Sequence, residues 1–298
     1  MRCRGSCLRA TGFEAIKKMM SFRNNRLENT PISGATAWLL TDIAEAKGRQ
    51  AGLLARRPEM VEKLRESALV QSAESSNRIE GVEVEPGRAE ALVIGNSQPK
   101  NRSEEEVLAY RRALDLIHGS GKTLPVSPEV VLRLHHLAQE GSGDSGQWKQ
   151  RDNEIVEFPK EGGPPRMRFK PVSARETPEA MAELCRWYSH TVDQRKVQPL
   201  IATAALVLDF LCIHPFRDGN GRVSRLLSLL SLYHFDYDVG RYISLERLIE
   251  ESKEDYYENL RLSSVGWHDA KHDLNPWVNY ILAIVRRAYL ELIERTGA

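Results

Sequence analysis

Little in this chain is extreme, and each shortfall closes off a class of protein. Cysteine is scarce: Cys3, Cys7, Cys185 and Cys212 are the only four in 298 residues, without the paired spacing of a zinc site. A disulfide framework is therefore not what organises the chain, and a reducing, cytoplasmic setting is the default expectation. Cys185 and Cys212 lie in apolar helical patterns and read as buried thiols. Charge of one sign is missing too. The 42 Lys and Arg against 41 Asp and Glu leave a net +1, which argues against bulk attraction to nucleic acid or a membrane surface. The longest apolar run, residues 200–213, is broken by Thr203 and Asp209 and is too short to span a bilayer. The first ten residues, MRCRGSCLRA, are basic but no apolar stretch follows, which argues against a secretory signal. Internal repeats and low-complexity linkers are absent.

What is present is mostly helix. Hydrophobic residues at 41% and charged residues at 28% are ordinary for a soluble globular protein, and the length allows one large or two modest domains. Apolar spacing near 3.6 residues predicts helices over 35–55 and 58–79, with a short one over 88–94. Ser103 and Glu106 form a capping box before VLAYRRALDLIHG. Ser127-Pro128 opens a helix ending near Gly141, and Thr177-Pro178 opens one to about residue 192. Pro199 opens the strongly apolar helix to Ile213. Further helices are expected over 222–235, 244–264 and 276–294. Only residues 141–172 read otherwise. Their runs EIVEF (154–158) and RMRFK (166–170) flank Gly162-Gly163 and Pro164-Pro165, which predicts a β-hairpin. The fold class is all-α with one small hairpin. Met19 and Met20 are alternative starts, and residues 1–30 are read as a disordered extension.

Residues 214–225, HPFRDGNGRVSR, carry the most chemistry. His214 follows a buried helix and precedes a helix-ending proline, at the rim of the core. It is placed as a general base, although a lone histidine there is more often a satisfied core residue. Gly219, Asn220 and Gly221 stand just before a helix. Their backbone N–H groups and the helix N-terminus make an anion cradle, or simply a tight turn. This is not a Walker A loop, because the spacing differs. Arg222 and Arg225, three apart, suit phosphate oxygens. Asp218 would repel a phosphate unless a divalent cation such as Mg²⁺ joins them; without ligand it reads as an arginine partner.

This segment resembles the signature of the Fic family, H-x-F-x-[DE]-G-N-G-R-x-x-R, matching at His214, Phe216, Asp218, Gly219, Asn220, Gly221, Arg222 and Arg225. The resemblance implies a Fic helical bundle whose hairpin is a flap, with 31–102 as N-terminal helices and 103–298 as the catalytic core. It implies transfer of AMP from ATP to a Ser, Thr or Tyr hydroxyl of a target protein, or of the chain itself. His214 would be the base and Asp218 the Mg²⁺ ligand. Residues 219–221 would cradle the anion, Arg222 would grip the β-phosphate and Arg225 the γ-phosphate. Phe216 would anchor the loop. Tyr256 and Tyr257 fall where the family often contacts adenine, with helix packing an equal explanation.

Upstream, residues 76–81, SNRIEG, resemble the family's inhibitory pattern [ST]-x-x-x-E-[GN], at Ser76, Glu80 and Gly81 on a helix near 72–81. Ser76 and Glu80 share a helix face, and the carboxylate is expected to pair bidentately with Arg225. The resemblance then implies autoinhibition, with removal of AMP, or transfer of another phosphate-containing group, as alternative activities. A silent peptide-binding module is the reading from a different class. The 154–170 hairpin is expected to dock an unidentified target by strand addition through Ile155, Val156 and Glu157. A homodimer would fit the family; nucleic acid and membrane partners are not expected. GDSG at 143–146 reads as a loop, His268 and His272 as surface residues near Trp267, and His135-His136 is given no role.

Overall fold

Residues 200–213 hold almost nothing that water would solvate, and the fold is arranged around them. The computed structural model describes residues 21–95, 97–157 and 163–297. In it these residues form α7 (Pro199–Ile213), buried at every position after Pro199. Burial on all faces is what an apolar helix without a polar stripe requires. Before it in the chain come α1 (Gly34–Arg56), α2 (Pro58–Ile79), α3 (Arg88–Val93), α4 (Arg102–Ser120), α5 (Pro128–Ala138) and α6 (Thr177–Asp193). After it come α8 (Asn220–His234), α9 (Leu245–Glu251), α10 (Lys253–Ser264) and α11 (Asn275–Thr296). Helix α7 packs on α6, α8, α10 and α11; α1 lies along α11, and α2 lies against α4 and α9 and reaches α8. No described helix is long and apolar enough to cross a membrane.

Local chemistry sets most helix starts. The side chains of Ser33, Asn101, Ser127 and Ser244 each accept a first-turn N–H. Proline occupies the first turn of α2, α5, α6, α7 and α11, where its missing N–H costs nothing. The cap of α4 differs from the expected box. Asn101 Oδ1 accepts the Glu104 N–H at 3.0 Å, so Ser103 is already inside the helix. The single helix expected over 244–264 is divided at Ser252, whose backbone leaves the helical region (φ −119°, ψ 34°). Its hydroxyl meets the Leu248 carbonyl and the Tyr280 hydroxyl, both at 2.9 Å. Helix α8 begins two residues before the expected position, at Asn220.

Two further expectations are corrected. Residues 21–30 are not an extension: Phe22 and Leu27 belong to the core, and Ser21 bonds the buried Asp209 through its N–H at 2.6 Å and its hydroxyl at 2.8 Å. Cys3, Cys7 and residues 1–20 lie outside the described residues. His272 is not a surface residue but is 3% exposed, with Ser21 Oγ at 2.9 Å and Arg26 Nη1 at 2.8 Å. Its partners come from a segment 246–251 positions away, so the sequence around it carried no sign of burial.

The hairpin pairs β1 (Ile155–Glu157) with β2 (Arg166–Phe169) in antiparallel register: Ile155 faces Phe169, Val156 faces Met167 and Glu157 faces Arg166. The register shifts between Ile155 and Val156, leaving Arg168 as the extra residue of a bulge. Phe169 stacks on His268 at 5.2 Å, which ties the hairpin to the loop before α11.

Candidate active site

The motif loop is the connection from α7 to α8, and its own side chains shape it. His214 ends α7 in the left-handed region (φ 51°), and its N–H still bonds the Phe210 carbonyl at 2.9 Å. Asn220 closes the loop by mimicking a peptide: its Oδ1 accepts the Phe216 N–H at 2.9 Å and its Nδ2 donates to the Phe216 carbonyl at 2.8 Å. The Asn220 side chain is thus committed to the loop, which leaves the backbone N–H groups for an anion. Gly219, at φ 78°, caps α8 in a conformation that favours glycine. Beyond it the first-turn N–H groups of α8 have no acceptor within the helix.

Side chains that the sequence did not point to hold this loop from outside. His135 stacks flat on Phe216, with centroids 3.7 Å apart and planes within 2°. Its Nδ1 accepts the Gly146 N–H at 2.9 Å, which fixes the proton on Nε2, 3.2 Å from the Asp218 carbonyl. Burial pushes the His135 pKa down to about 4, in keeping with that neutral form. Lys149 donates to the Ile213 carbonyl at 3.2 Å and to Asn153 Oδ1 at 2.8 Å, and Asn153 bonds the Phe216 carbonyl at 3.1 Å. The only sequence hint was that His135 precedes a loop rich in Gly and Ser; its partners lie 11 and 83 positions away.

His214 itself is neutral. Its Nδ1 lies 3.3 Å from the Leu211 carbonyl, so the proton belongs there and Nε2 keeps its lone pair. Burial pushes its pKa down to about 4, with the Leu211 carbonyl, Glu80 and Asp218 opposing and Lys149 assisting. A neutral imidazole with a free nitrogen can take a proton from a hydroxyl.

The two motif arginines are already occupied. Arg225 donates from Nε to Ser76 Oγ at 2.9 Å, and from Nη2 to the Ser76 carbonyl at 2.9 Å and to Glu80 Oε1 at 2.8 Å. The contact with Glu80 is therefore single rather than the expected bidentate pair: Ser76 engages Nε and shares Nη2 with Glu80. Burial acts to lower the Arg225 pKa, but Glu80 with Tyr110 and Tyr256 outweighs it, and the net direction is up. Arg222 donates to Glu106 Oε2 at 2.7 Å and to Asn77 Oδ1 at 3.2 Å. Asp218, 70% exposed, accepts the Gly219 N–H at 2.7 Å and has its other oxygen 3.6 Å from Arg222 Nη2.

Glu80 is the C-cap of α2, and Gly81 follows in the left-handed region (φ 83°), which releases the chain from the helix. The Glu80 carboxylate lies directly against Gly221 at the start of α8; a Cβ on Gly221 would overlap it. An anion from the chain itself thus sits at the helix N-terminus. The cavity that remains holds about 120 Å³, lined by Glu80, Arg168, His214, Gly221, Arg225 and Tyr257 among others. Ligand sites commonly measure roughly 300–1,000 Å³. Both tyrosines line the cavity: Tyr256 is packed among Trp277 and Tyr280, and Tyr257 is partly exposed. Of the three hairpin residues expected to dock a target, Ile155 lines the cavity and Val156 and Glu157 face solvent.

Comparison with known proteins gives a consistent picture. Residues 125–232 match the Fic/DOC family. The protein adenylyltransferases fic-1 of Caenorhabditis elegans and Caenorhabditis briggsae are 28% and 27% identical over 114 residues, 38% of this chain. That stretch spans only 20% of each of those proteins. A Fido domain-containing protein of Dictyostelium discoideum is 33% identical over 91 residues, 59% of its length. A solved Fic family protein from Desulfovibrio desulfuricans superposes with a TM-score of 0.72 at 25% identity, covering 89% of this chain and 76% of that one. A fragment of C. elegans Fic-1 superposes with a TM-score of 0.65 at 19% identity, covering 87% of this chain and 71% of that one, a likeness of fold alone.

Proposed function

We propose that the chain is a Fic family protein that transfers AMP from ATP to a hydroxyl of a protein and is held inactive by Glu80. The observation that carries this reading is the Glu80 carboxylate resting on Gly221 and Arg225 beside a neutral His214. A nucleotide phosphate and Glu80 compete for the same cations and the same helix N-terminus.

In the released state, His214 Nε2 accepts the proton of the incoming Ser, Thr or Tyr. The hydroxyl oxygen bonds the α-phosphorus, the bond to the bridging oxygen of the β-phosphate breaks, and pyrophosphate leaves. The N-terminus of α8 stabilises the anionic oxygens, as positioning and charge neutralisation do in phosphoryl transfer. Arg225, freed from Glu80, binds the γ-phosphate; Arg222 binds the β-phosphate once it turns from Glu106. Among the described residues no cluster of three ligating side chains could cage a metal. The exposed Asp218 carboxylate nevertheless fits Mg²⁺, which commonly takes one or two carboxylates and completes its shell with phosphate oxygens and water. Mg²⁺ held there would neutralise charge on the departing pyrophosphate.

One observation favours a second activity of the same site. Glu80 and His214 line one cavity, which supports a second reading in which Glu80 orients a water that removes AMP from a modified protein. Incubation with α-labelled ATP and Mg²⁺ tests the main reading, using wild type, Glu80→Gly and His214→Ala. Label on protein with Glu80→Gly and none with His214→Ala is expected. Equal labelling by wild type and Glu80→Gly would remove the inhibitory role of Glu80.

A further inference from the structure

The hairpin brings a second cation to the cavity. Arg168 lines it beside His214, Gly221 and Arg225, together with Ile155 from the paired strand. Its place follows from the bulge. Met167 and Phe169 each face a residue of β1, and Arg168 between them has no opposite number. Met167 is 58% exposed and Val156 46%, so this rung of the hairpin presents its apolar side chains to solvent. A bulge re-aims the extra side chain, and here it sends a guanidinium inward.

That guanidinium has an unmet requirement. The Arg168 Nε is buried and makes no hydrogen bond. Buried donors are usually paired, and a polar ligand in this cavity would pair this one. The charges agree. The cavity is lined by two guanidiniums, Arg168 and Arg225, and by one carboxylate, Glu80, which is already bonded to Arg225. A second anion is needed to balance Arg168. Burial lowers its pKa, with Glu157 on the neighbouring strand only partly offsetting that.

We infer that Arg168 is a nucleotide-binding residue, which donates from the hairpin to a phosphate oxygen of the ATP triphosphate. This rests on the nucleotide-transfer reading above. The hairpin then does more than offer a strand edge to a target: it adds a cation to the cavity that α8 lines. Binding a phosphate satisfies Nε and supplies the missing negative charge. Glu80 bonds Arg225 and not Arg168, so Arg168 contributes to ATP affinity wherever a triphosphate enters the site.

The test is equilibrium titration of the full chain with ATP and with adenosine, each in wild-type and Glu80→Gly backgrounds. Arg168→Gln is expected to weaken ATP about tenfold, the scale of one charge-assisted hydrogen bond. Adenosine affinity should stay unchanged, and Arg168→Lys should recover part of the ATP affinity. Unchanged ATP binding in Arg168→Gln overturns the inference and leaves the transferase reading intact. Equal losses for ATP and adenosine also overturn it, since they mean a disturbed fold. Failure of the proteins carrying Arg168 to bind ATP at all sinks the transferase reading itself.

Discussion

Asn77 and Arg222, 145 positions apart, share a buried hydrogen bond of 3.2 Å. The helix that engages Arg225 through Ser76 and Glu80 therefore engages the second motif arginine as well. Glu106 on α4 completes the arrangement from the other side, at 2.7 Å from Arg222. Both cations expected to grip phosphates are held by carboxylates and amides of the chain, and α2 supplies partners to each.

Release of Glu80 is the first prediction. Glu80→Gly removes the carboxylate from Arg225 and from the start of α8, and should raise AMP transfer by about tenfold or more. Asn77→Ala should raise it less, because Glu106 still holds Arg222. Initial rates of label incorporation compare the two. A larger effect from Asn77→Ala than from Glu80→Gly would mean that Arg222 is the controlling cation.

The pH dependence follows from the depressed histidines. His214, with a pKa near 4, is neutral across the physiological range, so transfer by Glu80→Gly should show no histidine limb between pH 6 and 7. Rates measured from pH 5 to 8 check this. A limb near the ordinary histidine value would show that the base is not this buried imidazole.

Stability has its own pH window. Burial brings His118, His135 and His214 down to about 4 and His272 to about 3. The unfolded chain, with ordinary values near 6.5, then binds more protons than the folded one as pH falls from 6.5 toward 4, and stability is lost over that interval. Asp209, raised to about 6 by burial, acts in the opposite sense between 4 and 6, but it is one group against four. Urea midpoints at pH 7, 6 and 5 should fall in that order. A midpoint that rises on acidification would contradict the burial of these rings.

The Gly221 site couples to Glu80 sterically. Gly221→Ala should push the Glu80 carboxylate, the end of a flexible side chain, off the start of α8 while Glu80 is present, at a cost of no more than about 1 kcal/mol, the scale of an ion pair near the surface. The added methyl overlaps the carboxylate. In the Glu80→Gly background most of that cost should vanish, giving a non-additive cycle of denaturation free energies. Additive effects would place the carboxylate elsewhere in solution.

His135 holds the loop through two hydrogen bonds and a stack. His135→Phe keeps the stack and removes both bonds, leaving the Gly146 N–H and the Asp218 carbonyl unpaired. A loss of about 1–3 kcal/mol in stability is expected, together with slower transfer in Glu80→Gly. Chemical denaturation and labelling rates report the two effects. Unchanged values in both would reduce His135 to a space-filling ring.

The elements with local causes were readable in advance. The helix over Pro58–Ile79 begins at a proline and ends before Gly81, and α7 announces itself by an apolar run broken only twice. Even the hairpin was marked by its Gly and Pro residues. Misreadings came where a neighbouring residue competed for a cap or where a distant side chain intervened. Asn101 took the cap assigned to Ser103, and Ser252 broke a helix because its hydroxyl found Tyr280, which the sequence does not place beside it.

By itself the sequence marked the motif loop: the glycines of a turn before α8, a histidine at the rim of the core, and two arginines three apart at the start of α8. These depend on φ preferences and on contacts within a few residues, and such preferences travel with the residue. The tertiary structure decided what the loop faces. Packing α2 against α8 sets Glu80 on Gly221 and Arg225, packing α4 and α5 brings Glu106 and His135, and a bulge turns Arg168 inward. Charge pairing across 145 positions has no local energy to reveal it. It exists only after the buried core has fixed the distances, because an ion pair in water is too weak to hold such segments together.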